Sequence, residues 1–333
     1  MQGKVMSQDN ARNSNDAGID VCKDWLDAHV MPANTAERFP NDKKGHKALL
    51  GFLKRHGVRR ILMEATGKYH RSVHERLHHA GLFVIVVNPS RARKFAESIG
   101  TLAKTDKVDA RMLALFAGLS GHEATPPLAE NLANLQEIVR SRAEAVADRT
   151  ALLNQLRTAG NAVVQQQLRA RIVACKTAAR QLGEEAVAAI TADKVLQRRF
   201  DILVSIPGIA ATTAASLLAN MPELGTLDEK AAGMLAGLAP IACESGQTIG
   251  LRRIRGGRAC VRTACYMPAL QAARSNGPLR IFYQRLLAVG KTKKVALTAV
   301  MRKLIVLANT LLKADRTWSL TCPQTPTNSP IHA

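Results

Sequence analysis

The order of apolar and polar positions divides the chain into two regimes. In the first, short apolar runs alternate with helical spacings. Ala17–Lys23 reads as a strand, Trp25–Val30 as its hairpin neighbour, and His46–His56 as a helix with Leu49, Leu50 and Leu53 on one side. Arg60–Glu64 is a second apolar strand, Tyr69–Ala80 a helix, and Leu82–Val87 a fully apolar strand closed by Asn88-Pro89. Asp106–Leu119 is helical again, and Pro126-Pro127 then breaks the chain. Strands that alternate with helices predict an α/β domain containing parallel pairs.

From about Leu128 to Val204 strand signals all but vanish. Leu132, Leu135, Val139, Val146, Leu153 and Leu156 recur at three, four or seven residues, Gly160-Asn161 marks a turn, and a second helical run starts near Val163. This predicts an antiparallel helical hairpin, coiled-coil in character, either a spacer or a dimerisation arm. A compact, Gly-containing helical domain follows, ending in the helix Val295–Lys313, and the Thr/Pro/Ser-rich tail after Trp318 is expected to fray. The expected organisation is a polar leader over 1–16, an α/β domain over 17–125, the hairpin over 128–200, a mainly α domain over 201–316 and a tail over 317–333.

Composition narrows the function. Among 333 residues, 47 Lys and Arg face 26 Asp and Glu, a formal net charge of +21. Between Ser245 and Ala314 there are 14 Lys and Arg and no acidic residue. Such a stretch reads either as a solvated basic face or as a surface for a polyanion, and nucleic acid is the usual cytosolic one. Aromatic residues make up only 4%, which disfavours base stacking and favours contacts to phosphates and grooves. Lys104, Arg252, Arg253, Arg255, Arg258, Arg262, Lys291, Lys293 and Lys294 are the candidate contacts. The apolar run Leu82–Val87 is far too short to span a bilayer, and the polar leader lacks an export signal, so no membrane partner and a cytoplasmic, nucleoid-associated location are expected. Six scattered cysteines form no C-x-x-C pair and read as reduced thiols.

Four acids stand out by position. Asp20 lies inside the first strand, Glu64 ends an apolar strand, and Asp106 and Asp109 sit three apart on one helical face. Phosphodiester chemistry needs hard oxygen ligands that hold Mg²⁺ near the scissile phosphate, and carboxylates at strand ends with one from a helix are how RNase H-like nucleases supply them. Taken alone, Asp106 could equally cap the helix it begins. Ser245 precedes Gly246 at a turn, with Arg252, Arg253, Arg255 and Arg258 close behind. It is either a turn residue or an exposed nucleophile beside a phosphate clamp.

These residues fall in motifs. Gly18-Ile-Asp20-Val with Lys23, Met63-Glu64-Ala-Thr-Gly67, Val87-Asn-Pro89 and Lys104-Thr-Asp106-Lys-Val-Asp109-Ala110 resemble the DEDD transposases of insertion sequence family 110. The second half is similar to that family's second domain in Ser205-Ile-Pro-Gly-Ile209, Leu235-Ala-Gly-Leu-Ala-Pro240, Ser245-Gly246, Gly256-Gly257, Arg262 and Tyr266. The resemblance covers about residues 17–314.

It implies a RuvC-like N-terminal domain of RNase H fold whose Asp20, Glu64, Asp106 and Asp109 bind Mg²⁺, and a serine, Ser245, that forms a covalent link to DNA. It also implies guidance by a bridge RNA pairing with donor and target DNA, and a homo-oligomer, a dimer or dimer of dimers, joined through the hairpin. Two other readings remain open: a RuvC-like nuclease on branched DNA that uses activated water, and a non-catalytic nucleic-acid scaffold. The turn Ile206-Pro-Gly-Ile209 resembles a helix-hairpin-helix, but Ala210 stands where a second Gly is usual, and a plain turn between helices fits equally.

Overall fold

The computed structural model describes residues 15–100, 106–242, 244–245, 248–275 and 277–319, and of residues 106–108, 244, 245, 248 and 249 the backbone alone. Lys104, Gly246, the first fourteen residues and the end of the tail lie outside it, as do the side chains of Asp106 and Ser245. The chain divides into two units, Met1–Leu128 and Ala129–Ala333.

In the first unit, β1 (Asn15–Val21), β2 (Trp25–Met31) and β3 (Thr35–Pro40) form an antiparallel meander, followed by α1 (Lys43–Arg55), β4 (Val58–Glu64), α2 (His70–His79) and β5 (Phe83–Val87). Then come α3 (Pro89–Ser98) and α4 (Asp106–Leu119). Among the described residues the strands form one mixed sheet in the order β3-β2-β1-β4-β5, with β1, β4 and β5 parallel. The expected α/β domain with parallel pairs is therefore present.

Two elements were not expected. Strand β3 has a single buried residue, Phe39, and lies at the sheet edge, so it shows little apolar alternation. Helix α3 starts where the sequence reads only a strand terminator: Asn88 accepts a hydrogen bond from the Ser90 N–H and Pro89 takes the first helical position, which is also a helix start.

Alternation along the strands sends side chains to opposite faces. Ala17, Ile19, Val21, Leu26, Ala28, Val30, Ile61 and Met63 pack with Leu49, Phe52 and Leu53 of α1 and Val73 and Leu77 of α2. On the other face Leu62, Ile85 and Val87 pack with Ala92 of α3 and with Met112, Leu113 and Ala117 of α4. Gly18 sets the height of α4 above the sheet. A Cβ there would lie 2.0 Å from the Ala110 carbonyl oxygen, 2.3 Å from the Ala114 nitrogen and 2.7 Å from the Leu113 Cβ. At the far end of the helix a Cβ on Gly118 would meet Asp16 Oδ2 at 3.0 Å, so α4 runs antiparallel to β1. Asp16 is held there by Arg60, whose Nε and Nη2 donate to its two oxygens at 2.8 Å each.

The second unit opens with α5 (Glu130–Thr158) and α6 (Ala162–Thr191), long helices that pack on each other as an antiparallel hairpin. Asn161 caps α6 by accepting from the Val163 and Val164 N–H groups, so the expected turn falls where Gly160-Asn161 stands. Asp193 caps α7 (Lys194–Ser205) in the same way, which ends the second arm before the expected Phe200. Next come α8 (Ala211–Asn220), α9 (Glu229–Leu235) and four strands of two residues each, β6 (Pro240–Ile241), β7 (Glu244–Ser245), β8 (Thr248–Ile249) and β9 (Arg253–Ile254). The unit ends with α10 (Ala259–Ser275), α11 (Gly277–Ala288) and α12 (Lys293–Lys313), as a mainly α domain.

Helix α12 is long and apolar enough to cross a membrane by length and composition, but Leu297, Val300, Leu304, Ile305, Ala308 and Leu311 pack into the core of this unit with α7, α8, α9 and α10. Trp318 packs on the same core, and its backbone N–H donates to Ser205 Oγ at 2.8 Å.

Close packing at Gly18 gives a direct test. Gly18→Ala would drive a methyl group into helix backbone, which cannot rotate away, so the full-length chain should lose about 2 kcal/mol or more in denaturant unfolding followed by circular dichroism. Gly51→Ala is the control: it lies in α1 with nothing within 4 Å of an added Cβ, and should leave stability unchanged or raise it by up to about 1 kcal/mol.

Candidate active site

The described part of the candidate acidic site is assembled by register and packing within the first unit. β1 and β4 run parallel with Gly18 opposite Leu62 and Ile19 opposite Met63. One step further along the same register, Asp20 stands beside Glu64 at the C-terminal ends of both strands. Gly18 and Asp20 share a face, as do Leu62 and Glu64, and this is the face that α4 covers. Because α4 runs antiparallel to β1, its first turns, with Asp109, lie toward the end of β1 that bears Asp20. Asp20, Glu64 and Asp109 are each partly buried.

The sequence does not reveal which other charges share this face. Asp27 of β2 is directly opposite Asp20, and Arg38 of β3 is directly opposite Asp27. Arg38 grips Asp27 with two hydrogen bonds, Nε to Oδ1 at 2.9 Å and Nη2 to Oδ2 at 2.8 Å. Two residues along β2, His29 also faces this side, its Nε2 3.1 Å from Asn34 Oδ1. Burial holds its pKa below the ordinary histidine value; the Asn34 hydrogen bond opposes this and the Arg111 charge adds to it. The imidazole is therefore neutral at pH 7. The only sequence signal for Asp27 is an acid flanked by Leu26 and Ala28 within an apolar strand, the same signal that marks Asp20.

The donors on this face are carboxylate oxygens, hard ligands suited to Mg²⁺ or Mn²⁺ rather than to a soft metal. Among the described residues no three His, Cys, Asp or Glu stand close enough to hold an ion. The Asp106 side chain, the fourth candidate, is outside the described set. Two histidines of this unit have partners away from the acids: His46 Nε2 lies 2.8 Å from Asn41 Oδ1, and His74 Nε2 lies 2.8 Å from the Thr125 carbonyl.

In the second unit the backbone of Ser245 lies in β7, paired antiparallel with Thr248 of β8, and β6 pairs with β9 outside them. The two pairs are nested, so Ser245 is carried on a narrow ribbon. Its base is clamped. A Cβ on Gly257, where φ is +62°, would lie 2.2 Å from the Gly237 nitrogen, so the two backbones touch. Arg258 donates to both Glu223 carboxylate oxygens, at 2.6 and 2.7 Å, and to the Asn220 carbonyl. Burial pushes the Glu223 carboxyl up, but the hydrogen bonds and charge of Arg258, with the charge of Arg199, outweigh it and leave the pKa below the ordinary value.

Among the candidate contacts, the Arg258 guanidinium is paired with Glu223 within its own unit and anchors the ribbon. Arg262 likewise donates to the Gly256 carbonyl at 2.5 Å. Arg252, Arg253, Arg255, Lys291, Lys293 and Lys294 are exposed. In the turn between α7 and α8, Ile206 and Ile209 are buried in the core and Gly208 abuts the Pro268 carbonyl of α10, so these residues serve packing.

Both units match known proteins. Residues 17–161 match the family model of the IS110 DEDD transposases, and residues 200–284 match that of the transposase IS116/IS110/IS902 family. The pilin gene-inverting protein of Moraxella bovis is 28% identical over 314 residues, which cover 90% of this chain and 96% of that protein. Its counterpart in Moraxella lacunata is also 28% identical over 314 residues, with the same coverage. An uncharacterized 43.6 kDa protein of insertion element IS110 from Streptomyces coelicolor is 34% identical over 115 residues, 34% of this chain and 28% of that protein. With family models of the same transposases matched in both halves, and relatives aligned along nearly its whole length, the chain belongs to the IS110 family of transposases, enzymes that transfer DNA strands.

Proposed function

We propose that this transposase cuts and rejoins DNA through a covalent phosphoserine intermediate formed at Ser245, with a RuvC-like set of carboxylates, Asp20, Glu64, Asp106 and Asp109, holding Mg²⁺. The observation that carries the reading is the placement of Asp20 beside Glu64 at the ends of parallel strands, with the helix bearing Asp106 and Asp109 packed across the same face. Carboxylates at strand ends joined by acids from a helix are the supply that RNase H-like enzymes use. Bound there, Mg²⁺ would withdraw charge from a phosphate oxygen and lower the pKa of a coordinated hydroxyl.

Ser245 loses its proton, its Oγ forms a bond to phosphorus, and one bridging P–O bond breaks, with the DNA oxygen leaving as a hydroxyl once protonated. A hydroxyl of another DNA end reverses the step, restoring a phosphodiester and freeing the serine. Bond energy is conserved in the phosphoserine, so no nucleotide cofactor is needed. The exposed Arg252, Arg253 and Arg255 follow the ribbon closely enough in sequence to clamp the phosphate, and Lys291, Lys293 and Lys294, with Lys104, hold the backbone electrostatically.

Specificity in this reading comes from a bridge RNA paired with donor and target DNA, and the α5–α6 hairpin joins protomers into a homo-oligomer in the cytoplasm, at the nucleoid. Support for the hairpin's role is that its outer part carries exposed Val146, Val163, Val164 and Val173.

Ser245→Ala should abolish the covalent DNA adduct on a denaturing gel while nucleic-acid affinity stays within about two-fold; an undiminished adduct overturns the serine mechanism, and cleavage that persists in Ser245→Ala with no adduct in either protein favours the water-using nuclease. Asp20→Asn should lower Mg²⁺-dependent cleavage by about 100-fold or more, measured with saturating DNA. Replacing Lys291, Lys293 and Lys294 together with Ala should weaken binding across all sequences and reduce the salt slope by about three, as filter binding over a salt series would read. Sequencing RNA that copurifies from the native locus tests guidance: one discrete RNA from a flank supports it, and heterogeneous cellular RNA overturns it.

A further inference from the structure

Aromatic residues are scarce in this chain, and one of its two tryptophans stands in water beside the candidate acids. Trp318 packs on the core of the second unit, whereas Trp25, the first residue of β2, is 45% exposed. Its neighbour Leu26 faces α1 and α2 with Ala28 and Val30, so alternation puts Trp25 on the other face with Asp27 and His29. Asp20 shares that face. Register sets Asp20 opposite Asp27, and Trp25 is the next residue of β2 on the same side. The indole is therefore a diagonal neighbour of Asp20, at the spacing of about 7–8 Å that an aromatic side chain bridges.

The backbone under the indole is braced. Lys23 and Asp24 form the tip of the β1–β2 hairpin, closed by the Cys22 N–H donating to the Trp25 carbonyl at 3.0 Å and the Trp25 N–H donating to Cys22 Sγ at 3.2 Å. Asn41, just after β3, holds the tip from the side: its N–H donates to the Asp24 carbonyl at 2.9 Å and its Nδ2 to the Cys22 carbonyl at 2.8 Å. The same Nδ2 lies 3.3 Å from the Tyr69 carbonyl, which ties the tip to the segment that follows Glu64. Among the described residues no ring or cation stacks on Trp25. A ring on a fixed backbone, left partly in water, loses little freedom when a flat partner covers it and gains the burial of its exposed area.

We propose that Trp25 is a stacking platform for an unpaired base of the DNA strand whose phosphate lies at Asp20 and Glu64. The occupant follows from placement and charge: the chain is a strand-transferring enzyme of net charge +21, Lys23 stands at the hairpin tip, and a phosphate held at Asp20 brings its own base to a ring one diagonal step away. Within a duplex both faces of a base are covered by its neighbours, so only a base freed from the stack can lie on the indole. Every base has a π-face, so the platform grips the strand without reading sequence. One ring is enough for this, where the low aromatic content disfavours an extended stacking surface. The inference rests on the reading of Asp20 and Glu64 as the metal site, and the test separates the two.

Indole emission of the full-length chain is followed while oligo-dT, an abasic strand of the same length, duplex DNA and oligo-U are added in turn. Wild type is compared with Trp25→Phe, which leaves Trp318 as the only tryptophan. Oligo-dT should quench the wild type and leave Trp25→Phe unchanged, and the abasic strand and the duplex should quench neither. Anisotropy of labelled oligo-dT, at salt high enough to suppress purely electrostatic binding, then reads affinity. Trp25→Ala should bind about 10-fold more weakly, the loss expected from one stacked base. Trp25→Phe keeps a ring and should stay within about three-fold of the wild type, and the abasic strand should bind all three proteins alike, which a merely structural role for Trp25 would not produce. Quenching by oligo-dT no greater than by the abasic strand overturns the proposal, as does wild-type affinity in Trp25→Ala. Quenching by oligo-U alone overturns the assignment to DNA. Cleavage that needs Asp20 without any quenching removes the platform alone, whereas quenching with cleavage indifferent to Asp20→Asn removes the reading of the acids.

Discussion

The contact between α4 and the backbone of β1 at Gly18 governs the first unit. Where the Ala110 oxygen and Ala114 nitrogen lie within 2.0 and 2.3 Å of a would-be Cβ, the helix rests on the strand itself rather than on side chains. This depth lets Leu113 and Met112 reach Leu62 and Ile85 and close a second apolar layer beneath the helix. Each fully buried Leu or Met in such a layer contributes about 2 kcal/mol, so the layer offsets much of the entropy of ordering the helix. It also settles direction. With Gly118 over Asp16 at one end, Asp109 lies toward Asp20 at the other, and the Arg60–Asp16 pair neutralises the charge that the far end would otherwise bury.

Much of this was legible in the sequence, for identifiable reasons. β1, β4 and β5 announce themselves because Ile19, Ile61, Leu62 and Phe83–Val87 are apolar where a strand buried on both faces must be, and the helices α1, α2 and α4 because their apolar residues return every three or four. β3 was illegible because an edge strand needs only one buried side chain, and the strands β6–β9 because two residues make no period. The acids of the candidate site were found by position within elements. The Asp27–Arg38 pair was not, because β3 shows too little apolar alternation for its register against β2 to be read. Arg258 illustrates the converse: its place in a run of basic residues suggests an outward charge, and only the fold reveals Glu223 behind it.

The two units solve the problem of holding reactive groups differently. In the first, Asp20 and Glu64 stand near the ends of inner strands of a packed sheet, each strand with a neighbour on either side. In the second, the backbone of Ser245 stands on paired two-residue strands, with the Gly237–Gly257 contact and the Glu223–Arg258 pair at their root. In the proposed mechanism the two settings would suit two jobs, since ligands for an ion must be fixed relative to each other while a nucleophile must reach the phosphate.

The hairpin of α5 and α6 has a further consequence. At 29 and 30 residues, with a rise of about 1.5 Å per residue, each helix extends some 45 Å. Leu135, Ile138, Ala186 and Ile190 tie its root to the helical core, while farther out the two helices rest chiefly on each other, as around Leu152 and Ala174. Each layer there touches only the layers above and below. The arm can therefore be lengthened or shortened by matched insertions or deletions of whole heptads, about 10.5 Å at a time, without altering the packing at its root. It is a ruler whose graduation evolution can reset independently of the chemistry at either end of the chain.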